Sequence, residues 1–309
     1  MANNSKFLSP SLVIIAASLW AVDGIVLTPS LYSLPVTLVV FIESSVVALL
    51  LTPFFKKYSH QIKTLAPKDW LAFIGVALAG GAIGTMAITR ALFYVDYVNL
   101  SIVVFIQKMQ PIFAIALAGI ILNEKLKREF FIWAGVAIVS AYIMTFGFGL
   151  PNFETSDKTT IAALFALLAA ASFGSSTVLS KRALRNVSYE VGTYLRFSLT
   201  ALIMLIIVLS SGTIYSINQV TNTQIIVFTI IAFTTGGPAI FLYYYGLKRI
   251  SASVASICEL AFPLTAVVLE YFVHGNILSP VQWIGAGVLL MSILKVSGIN
   301  ILPGIKSNN

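Results

Sequence analysis

Charge is what this sequence has least of. Asp, Glu, Lys and Arg make up only 10% of its 309 residues, against about 25% in soluble domains. A chain so poor in polar surface cannot face water on all sides. Cysteine occurs once, as Cys258, which excludes an internal disulfide framework and any multi-cysteine metal site. The two histidines, His60 and His274, lie far apart and near helix ends. No Gly-rich phosphate loop ending in Lys-Ser/Thr and no paired-His zinc motif occurs. No catalytic residue, metal or cofactor is therefore expected, and the chain does not read as an enzyme. Ahead of the first apolar run stands only Lys6, with no small-residue cleavage site leading into soluble sequence. That run reads as a transmembrane helix and not as a signal peptide.

What is present in quantity is apolar sequence: 58% of residues, with a mean hydropathy of +0.95. It comes in long blocks, each able to cross a bilayer, which takes roughly 20 residues. Ten spans are expected, at approximately 9–31, 33–54, 69–92, 98–122, 129–149, 158–181, 189–211, 223–247, 251–273 and 280–301. Breaks fall at Thr28-Pro29-Ser30, over 56–69, 95–99 and 123–129, and then at 151–157, 181–186, 212–222, 248–249 and 274–280. All connections are short, so neighbouring spans are antiparallel and no soluble domain is expected. The lipid bilayer is the first partner of such a chain.

The net charge of +8 is a topology signal. With the N-terminus inside, fifteen of the nineteen basic residues fall in cytoplasmic segments, including Lys56, Lys57, Lys63 and Lys68, then Lys125, Lys127 and Arg128, then Lys181, Arg182 and Arg185. The opposite loops hold Arg90 and Lys158, and Lys108 and Arg196 lie inside spans. Basic residues are retained on the cytoplasmic side, so the split supports ten spans with both termini inside. It also argues against a nucleic-acid patch.

The two halves resemble each other in order. Ser18-Leu19-Trp20 matches Ser172-Phe173-Gly174; Phe41-Ile42-Glu43-Ser44-Ser45 matches Tyr194-Leu195-Arg196-Phe197-Ser198; Gly80-Gly81 matches Gly236-Gly237. Gln107-Lys108-Met109-Gln110-Pro111 pairs with Glu259-Leu260-Ala261-Phe262-Pro263, and Trp133-Ala134-Gly135-Val136 with Trp283-Ile284-Gly285-Ala286. The chain divides into repeats over 1–155 and 156–309. Each holds five spans, an odd number, so the second enters the membrane in the opposite sense. Such inverted repeats supply two related gates around a midplane site.

This arrangement resembles the drug/metabolite transporter superfamily, in its EamA-like branch of ten-helix proteins. The resemblance covers residues 9–301. It rests on the Pro111 and Pro263 helices, the Asn123-Glu124 ending of span four, and the Trp or Phe-Gly start of each half. It implies a small-molecule solute as the second partner: an amino acid, another metabolite, a drug, or in some branches a lipid-linked sugar or activated nucleotide. The sequence departs from the pattern at Glu43, where members often carry a basic residue that Arg196 keeps in the second half. It departs again at His274-Gly275-Asn276, where an acidic ending is expected.

Ionisable groups inside spans are the functional pointers, since each costs roughly 2.5–3.5 kcal/mol at a helix centre. Asp23, Glu43, Lys108, Arg196 and Glu259 lie near mid-span, and Glu270 nearer an end. Lys108 and Glu259 stand just before their prolines, which remove a backbone donor and leave carbonyls free at the same depth. On a helical wheel Gln107, Lys108 and Pro111 share a face, and Gln110 adds hydrogen-bonding capacity. A central polar cavity is expected between spans four and nine, with Lys108 and Glu259 as principal ligands. The alternative is a buried ion pair that only fixes packing. Glu43 and Arg196 either pair with each other or with Lys108 and Glu259. Asp23 reads either as a proton acceptor or as a partner of nearby backbone or Arg196, and Glu259 is a second candidate acceptor. Trp20 reads as core or as substrate contact. Gly80-x-x-x-Gly84 reads as close packing, Trp70 as an interfacial anchor, and Glu270 and Arg90 as snorkelling groups. Of Tyr243-Tyr244-Tyr245, only one can face a cavity.

The function expected is a secondary transporter, an exporter or exchanger, of a small amino-acid-like or drug-like metabolite. A lipid-linked-sugar flippase, or a subunit of one, is the alternative on the same fold, and an integral-membrane enzyme the remote one. Homodimerisation is left open.

Overall fold

The computed structural model describes residues 2–92, 100–149, 157–274 and 279–299. Ten helices are long and apolar enough to cross a membrane: α1 (Phe7–Leu31), α2 (Val36–Phe54), α3 (Pro67–Leu92), α4 (Val103–Ile121) and α5 (Arg128–Phe146), then α6 (Thr160–Ala183), α7 (Tyr189–Ser210), α8 (Asn222–Leu247), α9 (Ala252–Val273) and α10 (Pro280–Ser297). Their starts are written in short polar signals. Ser188, Ser251 and Ser279 accept from the backbone N–H three residues on, each cap contributing about 1 kcal/mol. Thr221 with Gln224, and Ser279 with Gln282, form reciprocal capping boxes.

The helices are not uniform rods. α3 widens into a π-turn over Ala77–Ile83, and α8 does so over Ala232–Gly236. These are the two places where the Gly-Gly pairs align. At Gly81 a Cβ would stand 2.1 Å from Thr200 Oγ1, and at Gly80 2.2 Å from Ser176 Oγ. Neighbouring helices therefore approach there as only glycine allows. A third π-turn, Asp23–Leu27, lies in α1. α4 and α9 are interrupted at matching positions, Lys108 and Met109 in one, Glu259 and Leu260 in the other.

Packing follows the repeat. α1 lies on α8 and α9, and α6 correspondingly lies on α3 and α4. α2 contacts α3 and α8, as α7 contacts α8 and α3. The pairs α2 with α7, α4 with α9, and α5 with α10 are each their own counterpart under exchange of the halves. The first helix of each half thus finds its main partners in the other half. Leu71, Ile120, Ile206 and Met291 are exposed on the outer surface, where lipid tails replace the missing protein neighbours.

Several expectations are corrected here. Thr28-Pro29-Ser30 is no break: the chain passes through it as a tight 3₁₀ turn, Thr28–Leu31, continuous with α1. The stretch after α2 carries a further short helix, Phe55–Lys63, too polar to span. The wheel face joining Gln107, Lys108 and Pro111 fails because the helix is interrupted at Lys108. The Glu259 carbonyl is not free, since Phe262 N–H bonds it at 3.0 Å. The breaks at 95–99 and 151–156, residues 275–276, and the side chains of His274 and Glu270 lie outside the described residues.

Candidate functional site

A cavity of about 870 Å³ lies among the helices of both halves. Trp20, Asp23, Glu43, Gln107, Lys108, Gln110, Arg196, Glu259 and Pro263 all line it, whereas Pro111 is buried away from it. Its lining reaches Tyr32 beyond the end of α1, Leu92 at the end of α3, and Gln282 in the first turn of α10. With both termini inside, these are outer ends. Its deepest lining residues are Thr177 in α6 and Tyr243 in α8, and the innermost turn of no span contributes, so the cavity opens outward and closes within the membrane.

Its floor is organised around Glu259, which the interruption of α9 turns inward. Tyr243 donates its hydroxyl to Glu259 Oε1 at 2.7 Å, Thr177 approaches the same oxygen at 3.2 Å, and the Gln110 amide donates to Oε2. The Thr177 and Tyr243 hydroxyls lie 3.0 Å apart, side by side on that one carboxylate oxygen. Lys108 is not in ion-pair contact with Glu259. Its ammonium sits over the Phe262 ring, 3.4 Å from the centroid, and has no hydrogen-bond acceptor among the described residues. Arg196 reaches only Ser176 Oγ at 3.4 Å and Tyr244 OH at 3.5 Å. Asp23 accepts from Thr28 at 3.0 Å. The expected alternatives of direct pairing among Glu43, Arg196, Lys108 and Glu259 are thus not realised. Among the described residues the ion pair is Asp69 with Arg182. Three carboxylates and two cations share one cavity with their charges uncommitted to one another.

Aromatic rings stand beside this floor. Trp20 and Tyr243 lie 5.2 Å apart, tilted by 56°. Tyr244 is fully buried on Ser180 at 2.9 Å, and Tyr245 carries the Arg249 guanidinium at 3.6 Å. Only Tyr243 of the three faces the cavity. The sequence does not single out Thr177 or Phe262, nor choose among the three tyrosines, because hydroxyls and rings within apolar helices carry no signal until the fold brings them together. Thr235, also lining, faces Asp23, and the buried Thr200 hydroxyl has no hydrogen-bond partner among the described residues.

Below the floor the inner end is closed by polar links. Arg182 and Asn186 each donate to Asp69 at 2.9 Å. Lys181 donates to the carbonyls of Leu247 and Lys248 at 2.9 and 3.0 Å. Ser188 N–H bonds Gln61 at 2.8 Å. Glu124 caps α9, accepting from Ala252 N at 2.7 Å and from Ser253 N and Oγ at 3.2 and 2.6 Å.

Ten spans, duplicated halves and a midplane cavity open to one side define a multi-pass membrane carrier. The EamA-like transporter family matches the chain twice, over residues 8–146 and 160–298, and the chain belongs to that family. It is a secondary transporter of the cell membrane and not an enzyme. It is 46% identical over 290 residues to the riboflavin transporter ImpX of Fusobacterium nucleatum, covering 94% of this chain and 97% of that protein. It is 25% identical over 190 residues to the uncharacterized transporter YwfM of Bacillus subtilis, covering 60% of each. A solved crystal structure shares the fold at a TM-score of 0.70 with 15% identity, over 94% of this chain and 98% of that one.

Proposed function

We propose that this chain carries riboflavin across the membrane, binding it in the midplane cavity. The observation that carries this reading is the 46% identity to a riboflavin transporter along nearly the whole of both chains. The cavity supports it by size, since small-molecule sites are roughly 300–1,000 Å³, and by composition. A flavin is a flat, polar-edged ring with a polyhydroxyl chain. The aromatic side chains Trp20, Tyr243 and Phe262 beside Glu259, Gln110 and Lys108 suit the first, and the hydroxyl and carboxylate groups nearer the mouth suit the second. Lys108, Glu259, Gln107, Gln110, Glu43, Arg196 and Trp20 form the binding site in this reading. Asp23 and Glu259 are the groups able to take up a coupling proton.

The uncommitted charges favour a second substrate class, a zwitterion whose carboxylate meets Lys108 or Arg196 and whose amine meets Glu259 or Glu43. One assay separates the two. Proteoliposomes holding the purified chain take up labelled riboflavin, with competition by unlabelled riboflavin and none by amino acids. Riboflavin flux no greater than in empty liposomes overturns the proposal.

A further inference from the structure

Glu259 is held as an acceptor. An ionised carboxylate offers about four acceptor positions, and the neighbouring protein donors, Tyr243, Thr177 and Gln110, occupy three. One position is left, on a side chain that lines the cavity. Lys108 is complementary: an ammonium has three N–H donors and no acceptor, and among the described residues it meets the face of Phe262 and no hydrogen-bond acceptor. The floor therefore presents an unfilled acceptor beside unfilled donors, next to the Trp20 and Tyr243 rings. The chemical group that completes it is a donor flanked by acceptors on the edge of a flat ring.

Resting on the riboflavin reading, we infer that the flavin enters ring first, its pyrimidinedione edge on the floor. The ring N3–H donates to Glu259, and an adjoining carbonyl accepts from Lys108. The isoalloxazine lies against Trp20 and Tyr243, where offset or tilted aromatic contacts are favourable. The ribityl chain then points outward, toward Asp23, Thr28, Thr89 and Gln282, lining residues on the outer parts of their helices. The reverse orientation leaves a polyol against aromatic rings and an aromatic ring against carboxylates. Glu259 is thus the residue that determines specificity for the dione edge.

The test compares riboflavin with 3-methylriboflavin, in which a methyl replaces the N3 proton. Equilibrium binding to the purified full chain is followed by quenching of flavin fluorescence. A lost hydrogen bond to a charged group weakens binding roughly 10- to 100-fold, and that ratio is expected. It persists between lumiflavin and 3-methyllumiflavin, which lack the ribityl chain, because the chain lies at the other end. In Glu259→Met, of similar length but without an acceptor, the ratio falls to about threefold or less. Equal binding of riboflavin and 3-methylriboflavin to the native chain overturns the orientation while the riboflavin reading stands. No riboflavin binding at all overturns both. The native comparison needs no variant, so misfolding of Glu259→Met does not weaken it.

Discussion

Glu124, at the inner end of α4, closes the N-terminus of α9 through Ser253. It accepts from that residue's hydroxyl at 2.6 Å and its amide at 3.2 Å, and from Ala252 N at 2.7 Å. Negative charge at a helix N-terminus is favourable, and α4 and α9 are the helices whose broken middles floor the cavity. Removing the carboxylate in Glu124→Ala is expected to cost about 1 kcal/mol of stability, in line with a lost cap. It also loosens the inner closure. Cys258, the single cysteine, is fully buried on the inner segment of α9, so it reports the change. Maleimide labelling of Cys258 is expected to be slow in the native chain and several-fold faster in Glu124→Ala. An unchanged labelling rate would show that this contact does not hold the inner end shut.

Asp69 and Arg182 form an unequal pair. The Asp69 side chain is 3% exposed and that of Arg182 25%. In Arg182→Met a nearly buried carboxylate keeps only the Asn186 amide and the Ala66 N–H, at 2.9 and 3.3 Å. A buried charge left without its partner costs roughly 3–5 kcal/mol. In Asp69→Asn the guanidinium still reaches water, and about 1–3 kcal/mol is expected. Thermal denaturation in detergent should rank Arg182→Met below Asp69→Asn, and the opposite ranking would count against this account.

Two glycines separate packing from propensity. Gly81→Ala sets a methyl against Thr200, and the resulting overpacking is expected to cost roughly 1–3 kcal/mol or to prevent folding. Gly135 in α5 has nothing within 4 Å of a Cβ. Gly135→Ala is expected to be neutral or to stabilise by up to about 1 kcal/mol. Expression level and melting temperature of the two variants check both statements.

Trp20 tests the aromatic wall. An aromatic pair contributes about 0.5–1.5 kcal/mol beyond area burial. Trp20→Leu, which keeps an apolar surface, is expected to weaken riboflavin binding roughly 2- to 12-fold with little change in melting temperature. Unaltered affinity would move the ring elsewhere in the cavity.

The membrane class and the ten spans were legible because they depend on composition and on the placement of basic residues, which need no tertiary knowledge. The inverted repeat was legible because Gly-Gly and Pro positions survive in both halves. Less legible was what each charge touches. Spacing along α4 and α9 assumes a regular helix, and the interruptions at Lys108 and Glu259 break that assumption where it mattered. So Pro111 leaves the cavity, and Lys108 turns onto Phe262 instead of a carboxylate. The ionic contact that does form among the described residues joins Asp69, which the sequence does not single out, to Arg182, which reads as a topology charge. Its distance in sequence, 113 residues, puts it beyond any local pattern. Glu124 was visible as a feature of the resemblance, but its work as a cap on α9 depends on the crossing of two distant helices.

The exchange of partners between halves has a consequence for how the chain is made. α1 leaves the ribosome first, yet its packing surfaces are α8 and α9, some 200 residues later. At synthesis rates of roughly 5–20 residues per second, α1 waits on the order of ten to forty seconds before its partners exist. Throughout that interval Asp23 rides in a helix without its neighbours. The bundle is therefore assembled late and as a unit, after most of the chain has been inserted. A nascent chain stalled after α5 would hold five inserted helices and no finished core, the natural substrate of an insertase or a membrane protease.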